Sequence, residues 1–172
     1  VLWEIRNAND RIFDAAFNPS GDRVASVGEL GFVRVYDADT GALVFEFRAP
    51  GSVLAVQYDP NGKTLAAADR EGSIFLLDAK TGRLLQTIRS DDRQLYGLAF
   101  SPDGKTLAVG GHGRIVRLYD SETGNELLSL EGHEAQVNAL AFSPDGLTLA
   151  SADHEGVVLV WRADRGPANR PD

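Results

Sequence analysis

Cysteine is absent from the 172-residue sequence, which excludes disulfides, thiolate metal ligands and cysteine nucleophiles together. The redox compartment stays open. Methionine is absent too, so a chain opening Val1-Leu2-Trp3 is expected to be a processed product, an excised domain or a fragment. Basic residues are in deficit: 17 Lys plus Arg stand against 25 Asp plus Glu, for a formal charge of −8. Phosphate-backbone binders carry a clustered basic excess, so no nucleic acid partner is expected. No apolar run approaches the roughly 18 residues of a spanning helix, and no charged-then-apolar leader opens the chain. The expectation is therefore no membrane partner and a cytoplasmic location, with periplasmic or secreted settings left open.

What the sequence does contain is a repeat. One turn occurs four times: FNPSG from Phe17, YDPNG from Tyr58, and FSPDG from Phe100 and again from Phe142, at intervals of 41, 42 and 42 residues. A second landmark follows in phase, as VRVYD to Asp37, IFLLD to Asp78, VRLYD to Asp120 and VLVWR to Arg162. A third is DTG to Gly41, KTG to Gly82, ETG to Gly124 and DRG to Gly166. In x-Pro-Asp-Gly, proline presets φ, Asp or Asn satisfies local backbone donors and glycine accepts the positive φ that closes a hairpin. Short apolar runs between turns, such as TLAAA from Thr64 and SIFLL from Ser73, read as strands buried on both faces. The outermost strand alternates, as in Leu84-Leu85-Gln86-Thr87-Ile88, and fits a sheet edge with a wetter side.

Each unit is thus four antiparallel strands in about 42 residues, and a sheet apolar on both faces needs neighbours on both sides. The phase predicts an outer strand d over 1–6, blades over about 11–48, 52–89, 94–131 and 136–162, and a flexible tail or linker over 163–172. In that scheme the first strand completes the last sheet, giving sixteen strands.

At this point the residues resemble a family, the WD-repeat β-propellers, over 1–162. The strongest match is the last unit, with Gly132-His133, FSPDG, TLAS and a strand ending in Trp161; the looser units look similar to bacterial WD-repeat proteins. The resemblance implies an all-β propeller of four WD-type four-stranded antiparallel blades, from 1 to 162. It also implies a structural tetrad of His, Ser or Thr, Trp and a turn acid, which by position falls on His133, Ser151, Trp161 and Glu155. Elsewhere the Trp position holds Tyr36, Leu77 and Tyr119, and the His position of the third unit is Asp91. The first unit keeps Ser26 but has Leu30 at the turn; the second has Ala67 and Glu71.

Catalytic constellations are not expected. His112, His133 and His154 recur every 21 residues, yet that spacing places them in alternating connection types on neighbouring blades, so no metal site is expected. The channel strand carries Asp14 in the first unit and Ala55, Gly97 and Ala139 at the equivalent positions, which is no ring of ligands. Nucleophile elbows and phosphate-cradling glycine loops are also missing. The sequence therefore reads as a non-enzyme without cofactors. Its function would be a scaffold binding a peptide or protein through the top-face loops, with Asp10, Arg11, Glu29, Arg70, Asp92, Arg93, His112, Glu134 and His154 as the candidate contacts. The alternatives are a propeller hydrolase or lactonase with a channel metal, and a structural module of a larger signalling protein. Four blades are few for a closed ring, and an open arc would leave apolar faces bare. The expectation is a piece of a larger ring, or one of two copies that self-associate into eight blades.

Overall fold

The computed structural model describes residues 2–5 and 10–162. Their regular elements are fifteen strands and no helix. The first sheet is β1 (Ile12–Phe17), β2 (Arg23–Gly28), β3 (Phe32–Asp37) and β4 (Leu43–Arg48); the second is β5 (Val53–Tyr58), β6 (Thr64–Asp69), β7 (Ser73–Asp78) and β8 (Leu84–Arg89). The third is β9 (Leu95–Phe100), β10 (Thr106–Gly111), β11 (Val116–Asp120) and β12 (Glu126–Leu130), and the last is β13 (Val137–Phe142), β14 (Thr148–Asp153) and β15 (Val158–Arg162). All pairings are antiparallel between consecutive strands. These are four blades, each in its own sheet.

The turns form for a local reason. The residue before each proline turns back to the first N–H of the next strand: Asn18 Oδ1 accepts from Arg23, Asp59 Oδ1 from Thr64, Ser101 Oγ from Thr106 and Ser143 Oγ from Thr148, all at 2.9–3.0 Å. The closing residues Gly21, Gly62, Gly104 and Gly146 lie at φ +77°, +68°, +74° and +71°, where an L side chain is strained.

The blades stack through unlike faces. On the side facing the next blade the inner strands carry small residues, and on the side facing the previous blade they carry large ones. Ala55, Ala66 and Ala68 of the second blade thus receive Leu95, Leu98, Phe100 and Leu107 of the third in one buried cluster. The first junction packs Ala25, Val27 and Val35 against Val56, Tyr58 and Phe75, with the Phe47 and Phe75 rings 5.5 Å apart. Large side chains of one sheet thus interdigitate with small ones of the next. Inner strand β1 packs on β5, β5 on β9 and β9 on β13. No comparable packing joins β13 to β1, so the ring is not closed.

Two expectations need correction or restriction. Residues 2–5 do not form a strand, and the last sheet has three strands rather than four. The reason is geometric: β15 lies at one end of the arc and residues 2–5 at the other. There Trp3 donates its Nε1–H to Ala38 O at 2.8 Å and lies over Gly41, whose β-position is 2.9 Å from the indole. The tail expected over 163–172 lies outside the described residues.

Candidate functional site

The four innermost strands share an irregularity. Each skips one residue in its pairing, between Ile12 and Asp14, Val53 and Ala55, Leu95 and Gly97, and Val137 and Ala139. A bulge of this kind re-aims the extra side chain. The skipped residues Phe13, Leu54, Tyr96 and Asn138 then line a cavity of about 390 Å³ together with Asp14 and Arg70. This is the top mouth of the inner edge of the arc.

Its polar groups have distinct fates. Asp14 is consumed by backbone donors: its Oδ1 accepts from Ala15 N–H at 2.8 Å, and its Oδ2 reaches the second blade to accept from Val56 N–H at 2.9 Å. It is the only acid on the four inner strands. Tyr96 donates its hydroxyl to Gln94 Oε1, and Gln136 donates to Asn138 Oδ1 at 3.2 Å. Arg70 is exposed, and no carboxylate among the described residues pairs with it. Arg11 stands beside the mouth, its guanidinium 5.8 Å from the Phe13 ring centroid.

The top rim is held by backbone bonds that repeat. The residue after each second strand donates to the preceding loop of its own blade: Glu29 to Arg11 O, Arg70 to Ser52 O, His112 to Arg93 O and His154 to Gln136 O, at 2.9–3.1 Å. Neighbouring blades are stitched as well, by Ser52 Oγ to Glu29 O at 2.8 Å and by Gln94 N–H to Arg70 O at 2.8 Å. These bonds put the two loop sets on one face and give the mouth a rigid frame.

Of the nine candidate contacts, Arg11, Glu29, Arg70, Arg93, His112, Glu134 and His154 are exposed. Asp10 and Asp92 are corrections. The Asp10 side chain is 1% exposed, ion-paired to Arg34 at 2.8 Å, and accepts from Leu30 N–H at 3.0 Å. Asp92 is buried and accepts from Gly113 N–H at 2.6 Å and Arg93 N–H at 2.7 Å. Both cap the N–H two residues beyond a second strand that ends in glycine, Gly28 or Gly111. In the other two blades that strand ends in its own acid, and Asp69 caps Glu71 N–H and Asp153 caps Glu155 N–H at 2.9 and 3.0 Å. Every blade fills one backbone socket with a carboxylate, which turns these acids inward and away from a partner on the loop surface. Asp91, aligned with the His position, is exposed; Asp92 beside it turns inward.

The tetrad position also needs correction. Trp161 donates its Nε1–H to Ser151 Oγ at 2.8 Å, Ser151 Oγ lies 2.6 Å from His133 Nε2, and His133 Nδ1 lies 2.9 Å from Asp153 Oδ2. Donors and acceptors run in one direction when His133 carries its proton on Nδ1. The acid is Asp153, on the end of β14. Glu155 is exposed and contributes only its backbone N–H. The Val157 N–H, and after it the His133 contact, hold the Asp153 carboxyl below its ordinary value against the opposing effect of burial. The network pins the last blade and points no reactive atom at the mouth. Among the described residues no three His, Cys, Asp or Glu side chains stand close enough to share a metal ion.

Sequence reasoning missed the bulge residues because it took the flanking positions 14, 55, 97 and 139 for the channel lining. Their signal was present: 13, 54, 96 and 138 recur in phase and vary in type, from Phe through Leu and Tyr to Asn, where their neighbours, Asp14 apart, are small or apolar.

The family model for the WD domain, G-beta repeat, matches residues 2–37, 41–78, 82–120 and 124–162. No curated protein matches the chain at a significant level. Four matched repeats in phase with four stacked sheets, covering nearly all of the sequence, place this chain in the WD-repeat family.

Proposed function

We propose that this chain is a non-enzymatic interaction scaffold that seats an extended peptide segment of a protein partner across the top mouth. The observation that carries this reading is the set of four in-phase bulges, which turn Phe13, Leu54, Tyr96 and Asn138 onto one concave surface beside exposed Arg70. Aromatic and aliphatic groups with one convergent cation are the composition of a recognition surface. An apolar side chain against Phe13, Leu54 and Tyr96 and a carboxylate toward Arg70 match what the mouth offers. Membership in the WD-repeat family supports an interaction role in general, and Asp14, engaged on two backbone donors, favours binding over hydrolysis at the channel.

The test is amide chemical-shift mapping with a peptide selected from a display library. Binding as proposed moves the resonances of residues 13, 54, 70, 96 and 138 together. Shifts confined to the Pro-Asp-Gly turns on the opposite face, or to the outer strands, contradict it.

A further inference from the structure

Behind the bulge residues stands a second row, Arg11, Ser52, Gln94 and Gln136, each two positions ahead of Phe13, Leu54, Tyr96 or Asn138. Members of this row reach the bulge residue that they precede. The Arg11 guanidinium stands 5.8 Å from the Phe13 ring centroid, Gln136 Nε2 donates to Asn138 Oδ1 at 3.2 Å, and Gln94 Oε1 accepts from the Tyr96 hydroxyl at 2.5 Å.

Gln94 differs from the rest of its row in the backbone. Its φ is +50°, and apart from Arg114 it is the only residue other than glycine in the left-handed region among the described residues. That region is costly for a residue with a β-carbon, and a strained residue persists only where its surroundings hold it. Three contacts do so here. Gln94 N–H donates to Arg70 O of the second blade at 2.8 Å, and the side-chain carbonyl takes the Tyr96 hydroxyl. Its own backbone carbonyl lies against Gly111, where a β-carbon would be 2.5 Å from that oxygen. The second and fourth blades have Asp69 and Asp153 at the Gly111 position, and there Ser52 and Gln136 keep an ordinary φ.

The two groups that Gln94 holds, the Tyr96 ring and the loop that carries Arg70, are the ones assigned above to the peptide. We propose that Gln94 is a positioning residue for peptide recognition, a role that presupposes the mouth described under the proposed function. It fixes the Tyr96 ring and the Arg70 loop relative to each other without touching the ligand. With its hydroxyl proton engaged, Tyr96 presents the ring itself, which favours an apolar side chain over one that needs a hydrogen-bond donor. A ring ordered before the peptide arrives loses less freedom on binding.

The test uses Gln94→Gly, Tyr96→Phe and the two combined, titrated by calorimetry with a display-selected peptide that binds the parent. Glycine accepts a positive φ without strain and keeps the backbone donor to Arg70 O, so Gln94→Gly is expected to leave the urea unfolding midpoint at the parent's value. Affinity is expected to fall about three- to tenfold, the range that corresponds to ordering one side chain. Tyr96→Phe frees the same ring and is expected to lose the same factor, and the combined variant no more than either alone, because both remove one bond. Parent-like affinity in Gln94→Gly, losses that add in the combined variant, or a loss of affinity that tracks a lowered urea midpoint overturns the positioning role. Shift mapping of the parent keeps the two readings apart. Where the peptide moves residues 13, 54, 70, 96 and 138, parent-like affinity in Gln94→Gly sinks the role of Gln94 alone; shifts elsewhere sink the mouth and Gln94 with it.

Discussion

The carboxylate of Asp14 and the backbone N–H of Val56, 2.9 Å apart, tie the inner strand of the first blade to that of the second. Val56 is 5% exposed, so truncating the acid strands a buried donor. A lost partner of that kind costs about 1–3 kcal/mol. Asp14→Ala is expected to lower the urea unfolding free energy by that amount, and an unchanged midpoint would show that the bond carries no weight.

The four-membered network of the last blade gives a sharper contrast. Ser151→Ala removes the hydroxyl that accepts from Trp161 and contacts His133, leaving two ring nitrogens without partners at a cost of about 2 kcal/mol. Glu155→Gln changes an exposed side chain and is expected to stay within about 0.5 kcal/mol of the parent. Equal effects on thermal unfolding from the two substitutions would restore Glu155 to the network.

Acid is expected to weaken the fold through its turns. Asp37 and Asp78 are held below the ordinary carboxylate value of 3.8 chiefly by the Thr40 and Thr81 hydroxyls, and Asp120 chiefly by the Thr123 backbone N–H. A carboxyl whose value is lower folded than unfolded contributes stability that is fully present above about pH 3.8. That contribution is lost as pH falls through the folded value. Denaturation midpoints measured between pH 6 and pH 2.5 should drop below about pH 4, and less steeply once Thr40, Thr81 and Thr123 are all replaced by valine. An identical slope in the triple variant would move the cause elsewhere.

Two glycines separate backbone strain from blade contact. Gly72 and Gly156 both lie at φ +87°, where alanine costs about 1–2 kcal/mol. A methyl at Gly72 also runs into the Asp92 carbonyl oxygen, and one at Gly156 meets nothing within 4 Å. Gly72→Ala is therefore expected to destabilise by clearly more than Gly156→Ala in the same urea titration. Equal losses would mean that the second and third blades are not pressed together at this turn.

Much of the fold was legible because its determinants are local. Proline and glycine at fixed turn positions, and apolar runs too short for helices, mark sheets that must stack. What escaped notice depends on contacts between loops and strand ends. Asp10 and Asp92 look like solvated loop acids in sequence, and their sockets show only when Gly28 and Gly111 are compared with Asp69 and Asp153. Glu155 occupies the turn position where the resemblance puts the acid, but Asp153 already reaches His133 from the strand end. The bulges are invisible to a period of two, because an inserted residue shifts the alternation by one and disguises Phe13, Leu54, Tyr96 and Asn138 as ordinary strand positions. Residues 2–5, part of the strand expected over 1–6, are not in a sheet for a different reason: alignment identifies which strand a segment resembles, not whether its pairing partner is within reach.

The account rests on the top mouth as the place where a partner is recognised, and affinity measured on matched variants tests that most directly. Peptides selected against the parent protein are titrated by calorimetry against a variant carrying Arg70→Glu with Tyr96→Ala, and separately against His154→Ala on the same face. The expected outcome is at least a tenfold loss, about 1.4 kcal/mol, for the mouth variant and less than a twofold change for His154→Ala. Full affinity in the mouth variant, with its fold intact by circular dichroism, would contradict the assignment.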